Sequence, residues 1–150
     1  MSIFQSMNNT ASALTAQRLR MDVISSNMAN VDTTRGKYVD GEWIPYQRKS
    51  VVFEPKNAGF SSYLSAAIGQ NQQDSQGVRV SRIVNDPSAF KMVYDPEHAD
   101  ADEDGYVSMP NVDPLREMVD LMSATRSYEA NVTVFNAGKS MMMKALEIGK

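Results

Sequence analysis

The run Asp100-Ala101-Asp102-Glu103-Asp104-Gly105 sets carboxylates at the first, third and fifth positions of a possible calcium loop and glycine at the sixth. Oxygen donors at that spacing are what a hard divalent cation takes from a helix–loop–helix site. The pattern then needs a bidentate glutamate at its twelfth position, where this chain has Asn111, and Pro96 and Pro110 stand where the flanking helices belong. The run therefore reads as a solvated acidic turn that the fold can do without. Catalysis has little more to draw on. His98 is the only histidine and there is no cysteine, so a histidine pair, a thiolate metal site and a disulfide framework are all excluded. No nucleophile motif accompanies His98, and the eight glycines are scattered rather than gathered into a phosphate cradle. No catalytic residue, metal site, cofactor or small-molecule substrate is expected.

Charge adds a further exclusion. Six of the 18 acidic residues fall between Asp95 and Asp104, leaving 12 against 15 basic ones elsewhere, within a net charge of −3. That balance is too mild for nucleic acid, and no basic stripe interleaved with aromatics appears. The N-terminal sequence has neither a charged start nor an apolar run before a small-residue cleavage site, so no cleaved signal peptide is expected. No stretch reaches the ~20 apolar residues that span a bilayer.

With little chemistry to position, the elements themselves carry the information. Positions 3, 7, 10, 14, 17, 21, 24, 28 and 31 alternate steps of four and three and hold Ile3, Met7, Leu14, Met21, Ile24, Met28 and Val31, with Thr10 and Gln17 as the polar exceptions. That is the seam of a coiled-coil helix. Ala16, Leu19 and Val23 form a second apolar row. The C-terminal segment repeats the design. Asp113-Pro114 supplies an N-cap and a first-turn proline. Met118, Leu121, Thr125, Tyr128, Val132, Phe135, Lys139, Met142 and Leu146 then keep the same spacing, with Val134, Met141, Ala145 and Ile148 as an adjoining row. Met141, Met142 and Met143 sweep about 200° of the helix circumference, and no single partner surface covers that arc. Gly138 is a point of weakness or bending.

Between the helices, residues 36–112 hold five of the six prolines and six of the eight glycines. Strands are expected at 43–46, 50–54, 78–84 and 90–94, where β-branched and aromatic residues gather. Residues 55–77 are polar and read as a flexible loop, with a weak helical hint in SSYLSAAIG. The chain thus divides into 1–35, a helix with an Asn-rich turn; 36–112, a β-rich middle; and 113–150, a second helix. The fold class is mainly α with a small β-rich insert. The two stripes are suited to pairing as an antiparallel or a parallel hairpin, and the faces that such pairing leaves uncovered call for a bundle with helices from other molecules.

Three motifs carry a resemblance. RMDVISSNMANVDTTRG (20–36) resembles the signature of bacterial flagellar axial proteins, in which a helix runs into a turn of the form S-x-N-x-A-N. GYVSMPNVD (105–113) and SYEANVTVFNAGKSMMMKALEIG (127–149) resemble the proximal-rod proteins of the FlgC family. The resemblance implies a structural, non-enzymatic subunit of the flagellar basal-body rod, passing motor torque to the hook. It implies that the long N- and C-terminal helices pair as a coiled coil, forming a multi-subunit helical bundle in the assembly. It also implies partners among copies of the chain, other rod proteins and the flagellar type III export apparatus, through which family members leave the cytoplasm without a cleaved signal. Ile3, Met7, Leu14, Leu19, Met21, Val23, Ile24, Met28, Val31, Met118, Leu121, Tyr128, Val132, Phe135, Met141, Met142, Leu146 and Ile148 would then form the assembly interface. Ser26, Asn27, Ala29 and Asn30 would form the helix-ending turn, their asparagines bonding free backbone groups. Both terminal helices are expected to gain most of their order on assembly. The alternative is a soluble coiled-coil adaptor with a β-rich insert that binds one partner.

Overall fold

The computed structural model describes residues 3–56, 64, 67–68 and 77–149, without the side chain of Ile3. Helix α1 spans Ile3–Ala29 and helix α2 spans Pro114–Ile148. Between them lie β1 (Lys37–Val39), β2 (Glu42–Ile44), β3 (Lys49–Pro55), β4 (Val78–Asn85), β5 (Lys91–Tyr94) and β6 (Tyr106–Met109). The strands form three separate two-stranded sheets, β1-β2, β3-β4 and β5-β6. The molecule is mainly α with small antiparallel strand pairs. Most of the loop expected over 55–77 lies outside the described residues. Within it, the Ile68 amide donates to the Leu64 carbonyl at 3.0 Å.

Local chemistry explains these boundaries. Asp113 caps α2: its carboxylate accepts the Leu115 amide at 3.0 Å, and its carbonyl accepts the Glu117 amide. The helix continues through Gly138 without a break. Asp40 and Gly41 both take positive φ, 51° and 96°, which is the two-residue turn that matches strand twist in a hairpin. The Asp-Gly pair signals this hairpin, yet β1 (KYV) and β6 (YVSM) hold no long apolar run to mark them in the sequence, and neither is among the expected strands. The strand expected at 43–46 begins at Glu42 and stops at Ile44 because Pro45 offers no N–H. In β5 the bulky residues face out: Met92 and Tyr94 are exposed, while Val93 opposes the buried Val107.

The chain forms two compact units. One comprises Met1–Leu19, Val52–Arg82 and Ala124–Lys150; the other comprises Arg20–Val51 and Ile83–Ser123. In the first, the fully buried apolar residues among those described are two alanines, Ala16 and Ala124. Thr10 is buried too and donates its hydroxyl to the Ser6 carbonyl at 2.9 Å, which satisfies a polar residue at a seam position. Ser12 accepts the Val78 amide at 3.1 Å, and Gly77 passes so near that an added Cβ would overlap the Ser12 hydroxyl. The second unit buries Val23, Ile24 and Val107. Within it the two helices run antiparallel, with Arg20 reaching Asp120 and Asn27 reaching Glu117.

Candidate assembly interface

The second unit is organised around a buried polar hub. Asn27 and Glu117 are both completely buried, and the Asn27 amide donates to the Glu117 carboxylate at 3.0 Å. The same Asn27 side chain accepts the Lys49 N–H at 2.9 Å and donates to the Lys49 carbonyl at 2.8 Å. Tyr46 donates its hydroxyl to Asn27 Oδ1 at 3.0 Å. Arg48 answers the buried charge: its Nε donates to Glu117 at 2.6 Å, with Asp120 at 3.4 Å and Asp86 at 3.6 Å from the guanidinium. Asn111 holds the segment before α2, accepting the Arg48 amide at 2.7 Å and donating to the carbonyls of Asp86 and Ser88. The Ser88 amide and hydroxyl, followed by the Arg48 charge, hold the Asp86 carboxyl below its ordinary value. A buried ion pair is tolerable when its remaining lone pairs and protons are met, and here they are. The end of α1, the start of β3 and the first turn of α2 are thereby fixed to one another.

The asparagines of the S-x-N-x-A-N turn divide their labour. Asn30 stays local, donating to the Ser26 carbonyl at 2.8 Å and accepting the Thr33 hydroxyl. Asn27 instead bonds a strand and a helix far along the chain, and Ser26 lies 3.4 Å from the Tyr46 hydroxyl. Ala29 is the last residue of α1.

The acidic run is exposed at Asp102, Glu103 and Asp104, as the sequence suggests, and departs from a solvated turn at Asp100, which is half-buried. Asp100 accepts the Thr34 hydroxyl and the Arg35 Nε, both at 2.7 Å, so it clamps this loop to the segment after α1. Those bonds, Arg35 first and Thr34 second, hold its carboxyl below the ordinary value. Asp102 turns inward to its own loop and accepts the amides of Asp104 and Tyr106. His98 accepts the Asp100 amide at Nδ1. Among the described residues, no group of three acidic, histidine or cysteine side chains could hold a metal ion.

Ile3's side chain lies outside the described residues; the other apolar residues proposed for assembly fall into three sets. Val23 and Ile24 are buried, so their surface is spent within the chain. Met7, Leu14, Leu19, Met21, Met28, Val31, Leu121, Tyr128, Val132, Phe135 and Met142 are half-buried. Met118, Met141, Leu146 and Ile148 are exposed. Sequence reasoning missed part of the exposed surface. Leu115, Val119 and Met122 join Met118 at helical spacing, and all four stand at least 48% exposed on the first two turns of α2. Further along, Val134, Met141 and Ile148, three members of the adjoining row read from the sequence, are exposed as well. The spacing of Leu115, Met118, Val119 and Met122 is a readable signal, but it shares only Met118 with the 3–4 seam that runs on through Leu121.

Comparison with known proteins supplies the context. Residues 7–37 match the family described as Flagella basal body rod protein, and residues 103–148 match Flagellar basal body rod FlgEFG protein C-terminal. The chain is 60% identical to the flagellar basal-body rod protein FlgC of Bacillus subtilis (strain 168), covering 100% of both. It is 46% identical to FlgC of Borreliella burgdorferi, covering 99% of this chain and 98% of that one. With FlgC of Salmonella typhimurium it shares 42% identity over 100% of each. Identity at this level from end to end leaves no segment of the architecture without a counterpart: the chain belongs to the FlgC family of flagellar basal-body rod proteins.

Proposed function

We propose that this chain is a structural subunit of the flagellar basal-body rod that assembles with copies of itself and with other rod proteins through the faces of its terminal helices. One observation carries the reading. Helix α2 leaves Leu115, Met118, Val119 and Met122 in water at one end and Met141, Leu146 and Ile148 at the other. An unpartnered apolar surface of this extent marks an interaction site, and its spread along a 35-residue helix calls for more than one neighbouring helix. In the assembled rod the helices pack as a coiled-coil-like bundle and pass torque from the motor to the hook, a mechanical role with no catalytic step. The chain reaches that position through the flagellar type III export apparatus. The adaptor reading asks a single partner to cover surfaces that face several directions.

The test is replacement of Met118 by glutamate in a strain lacking the native gene. Isolated basal bodies should lack the variant, and the cells should be non-motile, although the purified monomer melts as the parent does. Normal incorporation of Met118→Glu removes this face from the interface.

A further inference from the structure

Two hairpins of the second unit each turn an aromatic pair outward. Tyr38 opposes Trp43 across β1–β2, so their rings share a face; they lie 5.1 Å apart and both are more than half exposed. Across β5–β6, Tyr94 opposes Tyr106 and Met92 opposes Ser108. The two tyrosine rings meet edge to face at 5.3 Å, and Met92, Tyr94 and Tyr106 are all exposed. The hairpin's other face carries the buried Val107, so this aromatic face takes no part in the core. Trp43 and Tyr106 line one cleft of about 390 Å³, and its charged lining groups are all carboxylates. Tryptophan, tyrosine and methionine are the residues that fill the centres of protein interfaces. The same unit leaves a second apolar surface open. Leu115, Met118, Val119 and Met122 stand exposed at i, i+3, i+4 and i+7 on α2, the anchor spacing by which a helix lies in a groove. Arg116 is exposed beside Leu115.

We propose that the aromatic cleft of one copy receives the first turns of α2 from the next copy. This contact rests on the rod-subunit reading and deepens it by naming what one face of α2 packs against. A second copy is the occupant because one chain carries both halves of a recurring recognition mode, a groove walled by aromatic rings and a helix with anchors at the matching spacing, and leaves both uncovered. The thioethers of Met118 and Met122 gain from contact with aromatic rings. The carboxylates of the cleft suit Arg116 beside the anchors, since no cation lines the cleft itself. Groove and helix are different surfaces, so the contact is heterologous. Each copy receives one neighbour and offers its own helix to another, and the row extends rather than closing as a dimer.

Photo-cross-linking tests the contact in cells that depend on the full-length chain. The substitution Tyr106→p-benzoylphenylalanine keeps an aromatic ring in the cleft and captures whatever lies against it. In isolated basal bodies the adduct should join two copies of the chain, with its second attachment among residues 114–123. Trp43→Ala should lower incorporation by about tenfold or more, the scale of losing an interface anchor, while the monomer melts as the parent does. Trp43→Phe should recover most of that loss. An adduct to a different protein or to another segment of the chain overturns the contact and leaves the rod reading standing. So does a cross-linking variant that enters basal bodies without forming an adduct, or Trp43→Ala incorporated as well as the parent. A parent chain absent from basal bodies overturns both.

Discussion

Asn27 serves strand β3 as another strand would, accepting its N–H and donating to its C=O at the same residue, Lys49. Asn27→Ala strands both of those groups, the Tyr46 hydroxyl and part of the Glu117 carboxylate, which is itself completely buried. Each unsatisfied buried group costs roughly 1–3 kcal/mol, so the monomer should lose at least about 2 kcal/mol in urea unfolding; an unmoved midpoint would remove Asn27 from the hub. Glu117→Ala should cost at least as much, because Arg48 then keeps its charge half-paired. A second prediction follows from the two lowered carboxyls, Asp86 and Asp100. Each binds a proton less readily when folded than when unfolded, so its contribution is fully present above the ordinary value of 3.8. That contribution is lost as pH falls through the folded value. Asp100→Asn should therefore melt closer to the parent below pH ~3 than at pH ~6; equal differences at both would show that its charge is not what Arg35 needs.

Helix α2 presents two kinds of surface along one cylinder, and the contrast yields a prediction about each. Leu115→Glu or Val119→Glu changes an exposed position, so monomer stability should stay within about 0.5 kcal/mol while assembly fails. Val23→Glu buries a carboxylate beside Ile24 and should unfold the second unit before assembly is tested. Circular dichroism melts set against basal-body incorporation separate the two behaviours, and a Leu115→Glu chain that assembles normally would sink the first. Much at this scale was legible in the sequence. Spacings of three and four marked both helices, and Asp113-Pro114 marked where α2 begins. The hub was not legible, because Asn27 and Glu117 stand 90 residues apart and a polar residue in a helix gives no sign of a distant partner. The same limit hid Asp100, whose run resembles a solvated turn until Thr34 and Arg35 are brought to it. Strands β1 and β6 are no shorter than β2 and β5, but β2 and β5 adjoin Pro45-Tyr46 and Phe90, which lengthen their aromatic and apolar runs enough to mark them.

The two units differ in what each can hold together alone. Ordering a residue costs roughly 1–2 kcal/mol of backbone entropy, offset by about 25 cal/mol for each Å² of apolar surface buried. The unit containing Arg20–Val51 and Ile83–Ser123 meets this with Val23, Ile24 and Val107 and with the satisfied hub. The other has two alanines as its fully buried apolar residues among those described, and it leaves Val134, Met141 and Leu146 in water. Order gained on assembly should therefore not extend over both whole helices, as their sequence suggests, but be confined to the halves that belong to the first unit. In hydrogen exchange on the dilute monomer, amides of residues 21–29 and 117–123 should be protected to the level of global unfolding. Those of 5–19 and 126–148 should exchange fast, slowing only when the rod forms. Limited proteolysis should likewise trim α1 and α2 back towards Arg20 and Ser123 and stop there. Uniform protection along both helices before assembly would show that the exposed methionine face costs the monomer nothing, and that the rod receives a subunit already complete.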